Sequence, residues 1–111
     1  MTVTVTVLVP AQTINNTQTT MYTATGVTAI IDKFTATNYS AAAATISVNL
    51  ITAGGASGND NLIVKTKTLQ ASETYTFPEL VGHVLNPSGF ISTIAGTASA
   101  INIRVSGREV T

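Results

Sequence analysis

The chain has 111 residues with five basic and five acidic side chains, one histidine, no cysteine and no tryptophan. Its formal net charge is zero and only 9% of its residues are charged, against ~25% in an average domain, so there is no long-range field to gather nucleic acid or an anionic membrane. The length is that of one domain, the absence of cysteine removes disulfides and thiolate metal sites, and no apolar run approaches the ~20 residues of a membrane helix.

Threonine supplies 21 residues, and with valine and isoleucine it suits a pleated surface. Thr2 to Val9 reads TVTVTVLV, a period of two that predicts a strand. Val3, Val5, Val7 and Val9 share one face, and Thr2, Thr4, Thr6 and Leu8 share the other. Pro10 is expected to end this strand, and Gln12 to Thr17 to form a loop. Residues 1–10 therefore read as an N-terminal arm, and residues 1–20 lack the basic and continuous apolar segments of a secretory leader.

Gln18 to Ala24 reads as a second strand and Val27 to Thr37 as a third, whose alternation slips around Ile30, Ile31 and Asp32 in the manner of a bulge. Ala44, Ile46, Val48 and Leu50 alternate with Thr45, Ser47, Asn49 and Ile51 in a fourth strand. A flexible loop, Ala53 to Asp60, separates it from a fifth at Asn61 to Leu69, which sets Lys65 and Lys67 on one face. Glu73 to Phe77 is a short sixth strand, followed by an apolar crossover from Glu79 to Leu85. Phe90–Ala95 and Ala100–Ser106 close the chain as a hairpin. Ile101, Ile103 and Val105 take the core side, Asn102, Arg104 and Ser106 face out, and Gly107 breaks the last strand. Eight short strands with turns between them predict an all-β, single-domain, eight-stranded β-sandwich of jelly-roll type over residues 1–111.

The residue types for chemistry are sparse. His83 is the single histidine, in an apolar crossover near Glu79, and reads as structural rather than as a base. Asp32, Asp60, Glu73, Glu79 and Glu109 are scattered singly, and a glycosidase needs two carboxylates facing across a cleft. The loop Gly54 to Asn61 lacks the Gly-Lys-Ser/Thr of a phosphate cradle and the spaced acids of a calcium loop. Asn15-Asn16-Thr17 and Asn38-Tyr39-Ser40 match the glycosylation pattern and read as coincidences in a threonine-rich chain. No enzyme activity, cofactor or metal site is expected. An exposed alternating strand is instead a template for pairing with another chain, and low charge leaves self-association unopposed. The residues expected at an interface are Thr2, Val3, Thr4, Val5, Thr6 and Val7 of the arm, Gly54 and Gly55 of the loop, and Arg104, Arg108 and Glu109 of the charged C-terminal tail.

From about residue 20 onward the chain resembles small structural proteins of tailed bacteriophages. The likeness lies in Asn38 before the alanine-rich strand, the glycine-rich loop at 53–58, and the L-x-A-x-E-T-Y turn from Leu69 to Tyr75. It continues through the crossover from Glu79-Leu80 to Leu85 and the closing Val105-Ser106-Gly107-x-Glu109. The resemblance implies a non-enzymatic, homo-oligomeric virion component, with trimers of a capsid decoration (cement) protein on the capsid exterior, bound to the major capsid protein, as the first expectation. A neck, tail or fibre-associated role is the alternative on the particle, and a small carbohydrate-binding β-sandwich module the alternative of another class.

Overall fold

A computed structural model describes residues 1–111. The alternation that marks the last strand also marks the core: Ile101, Ile103 and Val105 are fully or almost fully buried. They belong to β9 (Ile101–Val110). The other strands are β1 (Val3–Thr13), β2 (Thr19–Thr23), β3 (Thr28–Asn38), β4 (Ala44–Ile51), β5 (Leu62–Leu69), β6 (Thr74–Tyr75), β7 (Val84–Leu85) and β8 (Phe90–Ala95). The expected strands are present, and the Glu79–Leu85 crossover adds β7 as a ninth, two-residue piece. One 3₁₀ turn, Asn59–Asn61, precedes β5.

Two antiparallel sheets pack face to face as a β-sandwich. One has the order β1-β9-β3-β6, with β7 also on β3; the other has the order β2-β8-β4-β5. The first strand thus pairs with the last, the second with the eighth, the third with the sixth and seventh, and the fourth with the fifth. The core between the sheets is aliphatic, with Ile31, Ile46, Ile91 and Leu69 fully buried. Phe34 meets Phe77 edge-to-face at 5.2 Å between centroids.

This order corrects the expected closing hairpin. β8 pairs with β2 and β4, whereas β9 pairs with β1 and β3. The small residues 96–100 therefore carry the chain from one sheet to the other. Nor does Gly107 break the last strand, which runs on to Val110 in the middle of its sheet. The strands on either side both shift register at this level, between Val7 and Val9 in β1 and between Ile31 and Lys33 in β3. A side chain on Gly107 would collide with the Ile30 carbonyl oxygen and lie 2.9 Å from Leu8 Cδ1. The missing Cβ is what lets the two bulges close around β9.

Pro10 does not end β1, which continues to Thr13. β1 lies at the edge of its sheet, where a missing N–H breaks no central ladder. The bulge before Pro10 turns Leu8 and Val9 both inward, to 6% and 0% exposure. In β5 the register shifts opposite Ile46–Asn49, and Thr66 takes φ 44°, a left-handed value uncommon for a β-branched residue. That bulge separates the two lysines expected on one face: Lys65 lines a depression on the outer surface, while Lys67 Nζ lies 4.5 Å over the Tyr75 ring at the sandwich edge.

Candidate functional site

The outward face of the five-stranded sheet follows from the register. Val3 lies beside Val110 and Thr28; Val5 beside Arg108, Ile30 and Val84; Val7 beside Ser106 and Lys33. The valine row of the arm faces solvent rather than the core. Val5 is 81% exposed, Val84 54%, Val3 51% and Val7 40%. Lys33 ends the Val7 row, and the Arg108 charge in the Val5 row is tied down. Arg108 grips Asp32 with Nη2 donating to Oδ1 at 2.9 Å and Nε to Oδ2 at 3.0 Å. Both side chains are partly exposed, so the pair adds little stability, but it neutralises the charge that lies between Val5 and Ile30 in an otherwise apolar row.

The arm also has a free backbone edge. Thr2 and Thr111 exchange both backbone hydrogen bonds, at 3.1 and 2.9 Å. Antiparallel ladders alternate bonded and non-bonded pairs, so Thr4 with Glu109 and Thr6 with Gly107 are the next bonded pairs. The N–H and C=O groups of Val3, Val5 and Val7 then point away from β9 to the open side of the sheet. The first charged side chain in the chain is Asp32, so no lysine or other charge guards this edge in the way edges are commonly guarded.

The other interface candidates separate. Arg104 is exposed on the same outward face, opposite Thr35, nearer the other end of the sheet. Gly54 (φ +76°) and Gly55 lie in the β4–β5 loop of the opposite sheet. That loop is held by Asn61, whose Oδ1 accepts from Asn49 Nδ2 at 2.7 Å and from Gly58 N at 3.1 Å, and whose Nδ2 donates to Ala56 O at 2.8 Å. The expected flexible loop therefore has an internal frame.

Glu109 is not on the outward face. It follows the inward parity of Ile101, Ile103, Val105 and Gly107, and its Oε2 accepts from Tyr22 Oη at 2.6 Å across the two sheets. Tyr22 was not expected at a site; continuing the β9 alternation past Gly107 would have turned Glu109 inward. Burial first, then the hydrogen bond and charge of Glu109, push the Tyr22 hydroxyl well above its ordinary value of 10.0. Below that ordinary value Tyr22 is protonated in the folded and unfolded chain alike, and its contribution is full. As pH rises past it, the unfolded chain loses a proton that the folded chain keeps, so stability falls. Thermal melts compared between about pH 8 and about pH 11 are expected to show this loss, and Tyr22→Phe to make it smaller.

His83 is exposed and joins the fold through its backbone, its carbonyl accepting from Ile31 N at 3.0 Å. Glu79, expected near it, accepts from Tyr75 Oη at 3.2 Å. Glu73 Oε1 accepts from Gln70 N at 2.7 Å and caps the Leu69–Tyr75 turn. Asn38, the first residue of a glycosylation pattern, is fully buried with its amide engaged, which leaves it closed to modification in the folded chain.

The outer face of the second sheet carries a polar depression of about 300 Å³ lined by Gln18, Ser47, Asn49, Lys65, Thr66 and neighbours. Its floor is internally bonded: Gln18 Nε2 donates to Ser92 Oγ at 2.7 Å and to Asn49 Oδ1 at 3.3 Å, and Ser47 Oγ accepts from Thr66 N at 2.8 Å. These groups hold the β5 bulge and the loop in place.

Comparison of the chain with protein families, curated proteins and solved structures finds no match.

Proposed function

We propose that this chain is a structural protein of a tailed bacteriophage particle, a capsid decoration (cement) protein on the capsid exterior that bridges neighbouring major capsid subunits. The nested strand order, first with last and inward to the fourth with the fifth, supports the jelly-roll part of the reading. The observation that carries the assembly role is the arm: a charge-free strand whose open backbone edge and exposed valines coincide in the same residues, Val3, Val5 and Val7. Such an edge accepts another strand, with main-chain bonds giving affinity and alternate side chains giving specificity. The resemblance over roughly residues 20–111 supplies the particle.

The mechanism is mechanical. Copies of the sandwich add contacts across subunit boundaries, bury apolar surface there, and resist the pressure of packaged DNA. The test is the copy number of this chain in purified particles of the virus that encodes it. A number comparable with the major capsid protein is the expected result. A handful of copies would move the chain to the neck, tail or fibres, and its absence from the particle would overturn the reading.

A further inference from the structure

We infer that the free edge of β1 pairs with the same edge of a second copy of this chain, antiparallel about a two-fold axis at Val5. The segment Val3-Thr4-Val5-Thr6-Val7 reads the same in both directions. An antiparallel pair centred on Val5 sets Val5 against Val5, Val3 against Val7, and Thr4 against Thr6. Every valine then meets a valine on the outward face, and every threonine meets a threonine on the other. A two-fold contact uses the same patch on both partners and must be self-complementary; this strand is.

The hydrogen-bond phase agrees independently. In such a pairing the residues that exchange both bonds must be alternate ones, and the central pair must be one of them or lie between them. The ladder to β9, anchored by the reciprocal bonds of Thr2 and Thr111, turns the N–H and C=O of Val3, Val5 and Val7 outward. Val5 can therefore exchange both bonds with its copy, and Val3 with the copy's Val7, without disturbing a bond to β9. Charge gives a third argument. Residues 1–31 contain no charged side chain, so no like charges meet across the axis. Beyond Val7 the bulge turns the chain into the core, and Pro10 removes an N–H from the rest of the edge, so the open stretch is limited to the palindromic one. The product is one sheet running through two molecules, with the valine rows of both on the same side.

This inference names a partner for the edge invoked in the proposed function and rests on that surface. The particle role is read by copy number and the pairing by mass in solution, so the two fail separately. The experiment is light scattering on the size-exclusion peak of the purified chain and of two variants. Val5→Pro removes the outward N–H at the axis, and Val5→Lys places two like charges there at a position that is already 81% exposed. Circular dichroism checks that each variant retains its strands. The wild type is expected at twice 11.4 kDa, or at an even multiple, and both variants at half the wild-type mass. A wild-type monomer, an odd-numbered assembly such as the trimer, or an assembly that both folded variants leave intact overturns the pairing.

Discussion

Replacing Asn38 with alanine is expected to lower the unfolding free energy by about 2 kcal/mol, through the orphaned buried Leu69 carbonyl and the loss of the amide's other bonds. Asn38 is fully buried at the end of β3. Its Nδ2 donates to Ala42 O and Leu69 O, both at 2.9 Å. Its Oδ1 accepts from Ser40 N at 2.9 Å and Ser40 Oγ at 2.7 Å. The amide's donors and acceptors are all in use, and they tie the end of β3 in one sheet to the entry of β4 and the end of β5 in the other. Alanine leaves the buried Leu69 carbonyl without this partner, while Ser40 and Ala42, nearer solvent, keep the bond from Ser40 Oγ to Ala42 O at 2.8 Å. Asn38→Asp is expected to cost at least as much, because a carboxylate would face two carbonyl oxygens. Urea unfolding gives the answer: a lowered midpoint at unchanged slope is expected. A loss well under 1 kcal/mol would show that the hub is dispensable.

Gly107→Ala is the second large effect, expected at about 3 kcal/mol, the upper part of the range for overpacking. One methyl group there meets backbone, the Ile30 carbonyl oxygen, and not the yielding end of a side chain alone. Relief requires β3 or β1 to move, and both are bulged where they flank Gly107. A pair of variants sharpens the result. In Gly107→Ala with Leu8→Ala, the space near Leu8 Cδ1 is relieved but the carbonyl collision remains, so the double variant is expected to be no more stable than the single. Recovery in the double variant would place the strain on Leu8 instead. The chemical-denaturation midpoint reads both.

These two residues also mark the limit of what the chain discloses before it folds. Asn38 stands out in the sequence as a pattern marker before an alanine run, with nothing to show that its amide is the joint between sheets, because its partners lie at Ala42 and at Leu69. Gly107 reads as a strand break, since the signal for a break and the signal for a close approach are the same missing Cβ. Alternation fared better. It located β4, β8 and the start of β9 closely and set Ile101, Ile103 and Val105 in the core. Periodicity tells which residues share a face; it does not tell which face is inside. In the arm both faces are β-branched, and the valine row proved to be the outer one. Alternation is equally silent on pairing, which is why β8 and β9 read as a hairpin although they belong to opposite sheets.

The candidate site was legible to the same degree. The arm's charge-free alternation marked Thr2 to Val7 as an exposed strand, and the structure sets that strand at a sheet edge. Arg104 and Arg108 follow the outward parity of β9. Glu109 follows the inward one, and its parity was available in the sequence once Gly107 was allowed to continue the strand. Ile30, Val84 and Val110 complete the apolar rows, and only the cross-strand register brings them to the valines. The bulge that buries Leu8 and Val9 also fixes how the arm should be tested: removing residues 1–7 takes away the edge, whereas removing residues 1–9 also takes away core.

The measurement that bears most directly on the arm as an assembly surface is residue-resolved amide hydrogen exchange, compared between concentrated and dilute protein. The Thr4 and Thr6 amides, bonded within the chain to β9, are expected to be protected at both concentrations. The Val3, Val5 and Val7 amides are expected to be protected only in the concentrated sample and to exchange freely on dilution. Val3, Val5 and Val7 amides that exchange freely at every concentration would contradict the account.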